Sequence, residues 1–161
     1  MLANAQRYLK PGAADRLFGR VLVLLLRTGL VRGHFYVLEV RGRNSGRTIS
    51  LPVDPIEFDG GRYLVCARGN SNWVRNARAA GEITLVRALR RKHYAVRELP
   101  PDRRPPVLKA YLDRFAAEVQ RFFTVPKGSP VEAFNDLAPH YPVFELLPLD
   151  QTAPRGAAPL R

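Results

Sequence analysis

Residues 42 to 47, Gly-Arg-Asn-Ser-Gly-Arg, place two glycines, a hydroxyl and two guanidinium groups within six positions. Glycine at 42 and 46 permits backbone conformations that turn several N–H groups inward, as in an anion nest. Ser45 adds a hydroxyl. Arg43 and Arg47 add fixed charge, each with paired donors suited to a phosphate. A plain hairpin turn with two solvated arginines would have the same sequence, so the stretch alone supports both readings. It lacks the G-x-S-x-G spacing of a hydrolase elbow and the Gly-Lys-Ser/Thr ending of a P-loop.

A second constellation is "ARGNSNWVRN", Ala67 to Asn76. It joins the end of a strand-like stretch to the start of a helix-like one, and free N–H groups at a helix start attract anions. Trp73 and Asn76 are three apart and share a helical face. The bland alternative makes the lone tryptophan a core anchor and Asn76 a local cap. Asp54, Glu57 and Asp59 lie close in sequence, but beside Pro55 and Gly60 they shape turns more readily than they form an acid–base pair. His34, His93 and His140 are far apart and lack cysteine partners, so no metal site is predicted. The single cysteine, Cys66, excludes an internal disulfide and suits a reducing compartment, hence a cytoplasmic protein.

The 161 residues fit one domain, and 46% hydrophobic content suits a packed core. A net charge of +12 favours an anionic partner: nucleic acid, a membrane surface or a phosphorylated cofactor. Only four of the 26 basic residues are lysines (Lys10, Lys92, Lys109 and Lys127). Such an arginine excess, with much Ala and Pro, is also what a GC-rich coding bias produces. The most apolar run, Val21 to Leu26, is too short to span a bilayer, which needs about 20 residues. No small-residue cleavage site clearly follows it, so no signal peptide is expected.

These groups must be held by a framework that is mainly β. Residues 13–30 read as a helix whose Arg16, Arg20 and Arg27 fall within an arc of about 40°. The helix is expected to pack on the domain with this stripe in water; a sharper reading lays it on an anionic membrane. Strand-like stretches follow at 34–42, 47–58 and 62–69, with Asp59 to Gly61 as a hairpin turn. Pro52 and Pro55 should make 47–58 irregular or an edge. "EITLVRAL" and "RKHYAVREL" form another hairpin turning near Arg90, and 142–149 a last strand. A short helix begins after Ser71 or Asn72 and stops at Gly81. A longer one spans 105–123, with 124–141 as a loop. Five or six antiparallel strands with hairpin connections suggest a small closed or partly open barrel.

In order and spacing, "GRNSGR", "DGGRYLVCARG", Trp-x-x-Asn and the basic hairpin resemble the deazaflavin-dependent nitroreductase family, within the wider flavin and deazaflavin oxidoreductases. The resemblance covers roughly residues 35–99. It implies an α+β fold, mainly β with flanking helices: an FMN-binding-like split β-barrel of about six antiparallel strands. The barrel would occupy 34–150, between an amphipathic helix and linker at 1–33 and a disordered tail at 151–161. It further implies that Arg43, Asn44, Ser45, Gly46 and Arg47 hold the phosphate end of the deazaflavin coenzyme F-420. Pro52, Cys66, Ala67 and Arg68 would border its ring, and Trp73 and Asn76 would lie near its tail. The reaction implied is hydride transfer to an electron-poor small molecule: a quinone, an enone or a nitro compound. No catalytic residue is singled out; Tyr111 and Tyr141 are candidates for the family's substrate-side tyrosines, although Tyr111 is expected to pack in the core. Two departures stand out: Asn44 replaces the family's usual Lys, and no further Arg lies near Ile49. Arg47, Arg68 or the run Arg90, Arg91, Lys92 could supply that charge, or FMN could replace the deazaflavin. A non-catalytic protein binding anionic lipid or nucleic acid is the remaining alternative. Aromatic residues are hardly interleaved with the basic run, which argues against specific nucleic-acid binding. A monomer or a homodimer is expected.

Overall fold

The computed structural model describes residues 9–29 and 33–149. Seven strands form one antiparallel sheet: β1 (Tyr36–Arg41), β2 (Thr48–Val53), β3 (Ile56–Phe58), β4 (Gly61–Val65), β5 (Glu82–Arg87), β6 (Arg90–Glu98) and β7 (Val143–Pro148). Their order across the sheet is β2-β1-β5-β6-β7-β4-β3. The stretch read as one irregular strand at 47–58 is therefore two strands, and they occupy opposite edges of the sheet. In a flat sheet six interstrand gaps would separate these edges by about 29 Å. Only Asp54 and Pro55 join them, and that link spans about 11 Å at most. The sheet must therefore curl until its edges meet, which makes it a split barrel.

Alternation along β1 divides its side chains between two environments. Leu38 and Val40 point into the barrel, where they meet Leu64, Leu85, Phe144 and Leu146. Val37 points outward and packs with Leu26 and Val86 beneath helix α1 (Ala13–Thr28). Helix α2 (Asn72–Ala80) begins at Ser71, whose hydroxyl accepts from the Val74 N–H, and ends at Gly81. Helix α3 (Pro105–Val119) covers the other opening with Leu108, Leu112 and Phe115, and it kinks at Phe115. The stretch at 124–141 carries two short 3-10 turns, Val131–Phe134 and Ala138–His140. The expected disordered tail lies outside the described residues, as does Leu30.

Helix α1 packs on the sheet with Arg16, Arg20 and Arg27 exposed, as the sequence reading expects, but much of its apolar surface is exposed too. It buries a narrow face, Gly19, Leu22, Val23 and Leu26, and exposes Leu17, Phe18, Val21 and Leu24. The reason is its apolar excess: apolar side chains fill most of the circumference, and the sheet can cover only one side. Arg27 stays exposed while its guanidinium reaches the buried carboxylate of Glu39, at 2.7 Å.

The β5–β6 turn lies at Ala88 and Leu89, immediately before Arg90, where the sequence reading expects it. Both residues are left-handed, with φ of 47° and 65°. A two-residue turn of this hand favours Asn-Gly, and an ordinary L-residue there costs roughly 1–2 kcal/mol. Replacing Ala88-Leu89 with Asn-Gly is expected to stabilise the protein by about 1–2 kcal/mol, read as a higher urea midpoint at unchanged slope.

Candidate functional site

Between the β1–β2 turn, the end of α2 and the outer face of β1, β5 and β6 lies an open groove of about 680 Å³. This is within the usual range for small-molecule sites. One end is the Gly-Arg turn. The floor is a polar row in which β-pairing aligns Glu39, Thr84 and His93 on neighbouring strands. Ala79 and Ala80 form the far wall.

The turn is held by its own backbone. The Gly42 N–H donates to the Arg47 carbonyl, and the Gly46 N–H donates to the Gly42 carbonyl, both at 2.8 Å. Gly46 sits at φ 66°, a left-handed position that glycine adopts without strain. Gly42 lacks room for a side chain: an added Cβ would lie 2.7 Å from Ser45 Oγ and 3.2 Å from the Arg47 carbonyl oxygen. Asn76, buried on α2, fastens the turn to the helix. Its Oδ1 accepts from the Arg43 backbone N–H at 3.2 Å and from Arg43 Nη1 at 2.8 Å. The Arg47 N–H donates to Ser45 Oγ at 3.3 Å. Four of the six turn amides are thus engaged inside the protein. Those of Asn44 and Ser45, two in succession, make no bond among the described residues. Asn44 and Ser45 line the groove together with Arg41 and Arg43. Arg41 approaches the turn so closely that a Cβ on Gly46 would lie 3.8 Å from its Nη2.

The residues implied by resemblance separate into distinct places. Arg43, Asn44, Ser45 and Gly46 line the groove, and Asn76 braces it from behind. Arg47 is exposed outside it. Pro52 lies under α1, with its ring against Gly19. Cys66 is buried beside Ser71, at 3.4 Å, and burial pushes its thiol pKa up. Arg68 is committed elsewhere: it pairs with Asp15 at 3.0 Å and lies over the Phe122 ring. Ala67 and Arg68 border a small separate cleft with His140 and Tyr141. Trp73 packs on Phe144 in the barrel interior, with ring centroids 5.8 Å apart. Tyr111 is buried in the core. Tyr141 is buried too, stacked on Phe123, with its hydroxyl donating to the Phe122 carbonyl.

Of the residues weighed to supply extra charge, Arg91 reaches the groove, whereas Arg47, Arg68, Arg90 and Lys92 do not line it. Glu39, Arg41, Thr84 and His93 were not singled out from sequence. The signal available for Glu39 was a charged residue within an otherwise apolar strand, "YVLEVR". It is 6% exposed, and Arg27 and Arg91 hold its two oxygens.

Asp54 belongs to neither the groove nor a turn-shaping carboxylate set. Glu57 pairs instead with Arg62. Asp54 Oδ1 lies 3.3 Å from His34 Nε2, which is also 3.9 Å from Glu118 on α3. Burial first, and then the Glu118 carboxylate, push its pKa up to about 7.

No protein-family model matches the chain, and no curated protein matches it. The solved structures it resembles include one described as a domain-swapped dimer, 17% identical, with TM-score 0.51, covering 83% of this chain and 96% of that one. They also include an F420-H2 dependent reductase (FDR-A), 18% identical, covering 70% and 93%, with TM-score 0.47. A third is a putative 5-nitroimidazole antibiotic resistance protein from Bacteroides thetaiotaomicron, 9% identical, covering 80% of each chain, with TM-score 0.49. The first likeness establishes the fold alone: the chain is an α+β split barrel with a curled sheet and flanking helices.

Proposed function

We propose that the chain is an oxidoreductase that binds a reduced deazaflavin coenzyme in the groove and delivers its hydride to an electron-poor small molecule such as a quinone, enone or nitro compound. One observation carries this reading: the turn singled out from sequence forms the end of the groove, where its two successive unbonded amides share the lining with Arg41 and Arg43. That donor set fits a phosphate. The coenzyme would supply the hydride, and the chain would supply placement and charge. Asn76 fixes the Arg43 stem so that its charge stays at the groove end. Arg41 and Arg91 supply the positive charge that Asn44 does not.

Calorimetric titration of the full chain with deazaflavin, FMN and FAD tests the reading. Deazaflavin is expected to bind, and Arg43→Ala is expected to weaken it at least tenfold, a loss of about 1.4 kcal/mol. Absence of deazaflavin binding at millimolar concentration would defeat the reading. FMN binding in its place would reassign the same groove to a flavin reductase.

The exposed face of α1 favours a second, compatible role. Leu17, Phe18, Val21 and Leu24 stand in solvent, flanked by Arg16 and Arg20. No helix among the described residues is long and apolar enough to cross a membrane. An apolar face bordered by arginines suits lying on an anionic bilayer. Full-length protein should co-sediment with phosphatidylserine-containing vesicles and not with neutral ones, and Phe18→Glu should release it. Equal recovery with both vesicle types would remove this role.

A further inference from the structure

The groove floor contains a polar atom that the fold leaves unused. Thr84 Oγ1 lies 2.9 Å from His93 Nδ1, fixing the ring. Nε2, the other ring nitrogen, makes no bond among the described residues, although His93 lines the groove. Arg91 stands two residues earlier on β6 and so on the same sheet face. We propose that the groove floor is a second oxyanion subsite, in which protonated His93 donates through Nε2 beside the Arg91 guanidinium to a carboxylate or phosphoryl group. It shares the groove with the proposed coenzyme site but does not require that coenzyme.

Every charged group facing this position can be named. From β1 come Glu39 and Arg41, from the β1–β2 turn Arg43, from β5 Glu82, from β6 Arg91, and from α1 Arg27 through its bond to Glu39. α2 contributes only Ala79 and Ala80 to the lining. Arg27 and Arg91 hold the Glu39 carboxylate from two sides, so it does not dominate the floor. An arriving anion adds negative charge next to an imidazole, which favours the protonated ring. Thr84 can serve either state, accepting from an Nδ1–H or donating to a bare Nδ1. Anion binding should therefore draw a proton from solvent.

The test is a long-range 1H–15N spectrum of the full chain at pH 7.5, with and without inorganic sulfate, which does not titrate there. The His93 signals, assigned by their loss in His93→Gln, should move from the neutral to the imidazolium pattern when sulfate is added. Sulfate affinity should fall about five- to tenfold in His93→Gln, with the melting temperature unchanged. The His93 response should survive in Arg43→Ala, since that variant alters only the turn. Signals that stay neutral at saturating sulfate, or unchanged sulfate affinity in His93→Gln, would overturn the subsite. If Arg43→Ala abolishes deazaflavin binding while His93 stays neutral, the floor subsite fails and the coenzyme reading stands. If sulfate protonates His93 but deazaflavin does not bind, the reverse holds.

Discussion

Replacing Asp54 with Asn is expected to raise the melting temperature at pH 8 and to flatten its dependence on pH. In the folded chain the Asp54 carboxyl is pushed from its ordinary 3.8 up to about 7, first by burial and then by Glu118. A raised carboxyl pKa means that the folded state holds the proton more tightly than the unfolded chain does. Its favourable contribution is complete below about pH 4, is lost as pH rises towards 7, and is then level. Such a rise corresponds to about 4 kcal/mol at full burial. Solvent at the rim, where His34 is one-third exposed, reduces this to roughly 2 kcal/mol. Asn keeps the size of Asp and carries no titrating proton. The wild-type protein should therefore lose about 4–8 °C between pH 4 and pH 8, and Asp54→Asn should not. Calorimetric scans across this range decide the matter: an unchanged slope in the variant would place the titrating group elsewhere.

The second large effect concerns Arg104, which is 6% exposed at the start of α3. Its guanidinium donates to the Leu99 carbonyl at 2.8 Å and to the Ala138 carbonyl at 3.0 Å. It also reaches the Tyr141 carbonyl at 3.4 Å and Glu98 at 3.1 Å. It therefore joins the end of β6, the start of α3 and the turn that leads into β7. Burial lowers its pKa, and Glu98 opposes that shift. Arg104→Met preserves the length of the side chain but removes a donor from three carbonyls, while Glu98 keeps both bonds from Arg78 and the Ala138 carbonyl keeps the Tyr141 N–H. A loss of about 3 kcal/mol is expected, or roughly 10 °C in melting temperature. Arg104→Lys should recover only part of this, because a point charge cannot reproduce a planar fork of donors. Full recovery by Lys would show that charge rather than bond geometry holds this junction.

The legible and illegible parts of the chain differ for physical reasons. Strand periodicity and Gly-containing turns are local signals, so the hairpins at 36–53 and 56–65 and the helix starting after Ser71 could be read directly. The division of 47–58 into two strands on opposite edges could not, because pairing partners are set by global closure. The β5–β6 turn falls where expected, next to Arg90, but its left-handed φ could not be read because Ala88 and Leu89 are not the usual residues for it. The outward face of α1 depends on how much of the helix the sheet can cover, which no helical wheel states. At the candidate site the glycine turn was visible through motif order, whereas the bond from Arg43 to Asn76 on α2 was not. The floor was not: Glu39, Thr84 and His93 lie 45 and nine residues apart along the chain and meet only through β-pairing. Arg68, by contrast, looked available in sequence and is held by Asp15.

The two-residue passage from β2 to β3 constrains how the molecule can assemble. The β1–β2 hairpin docks on β5, and the β3–β4 hairpin docks on β7, at opposite margins. With Asp54-Pro55 as the tether, neither hairpin can settle while the other drifts, so both margins should lock in one concerted step. Lengthening that tether with several glycines would free each margin to settle on its own, and the barrel could then open into a ribbon whose loose ends pair with a second molecule.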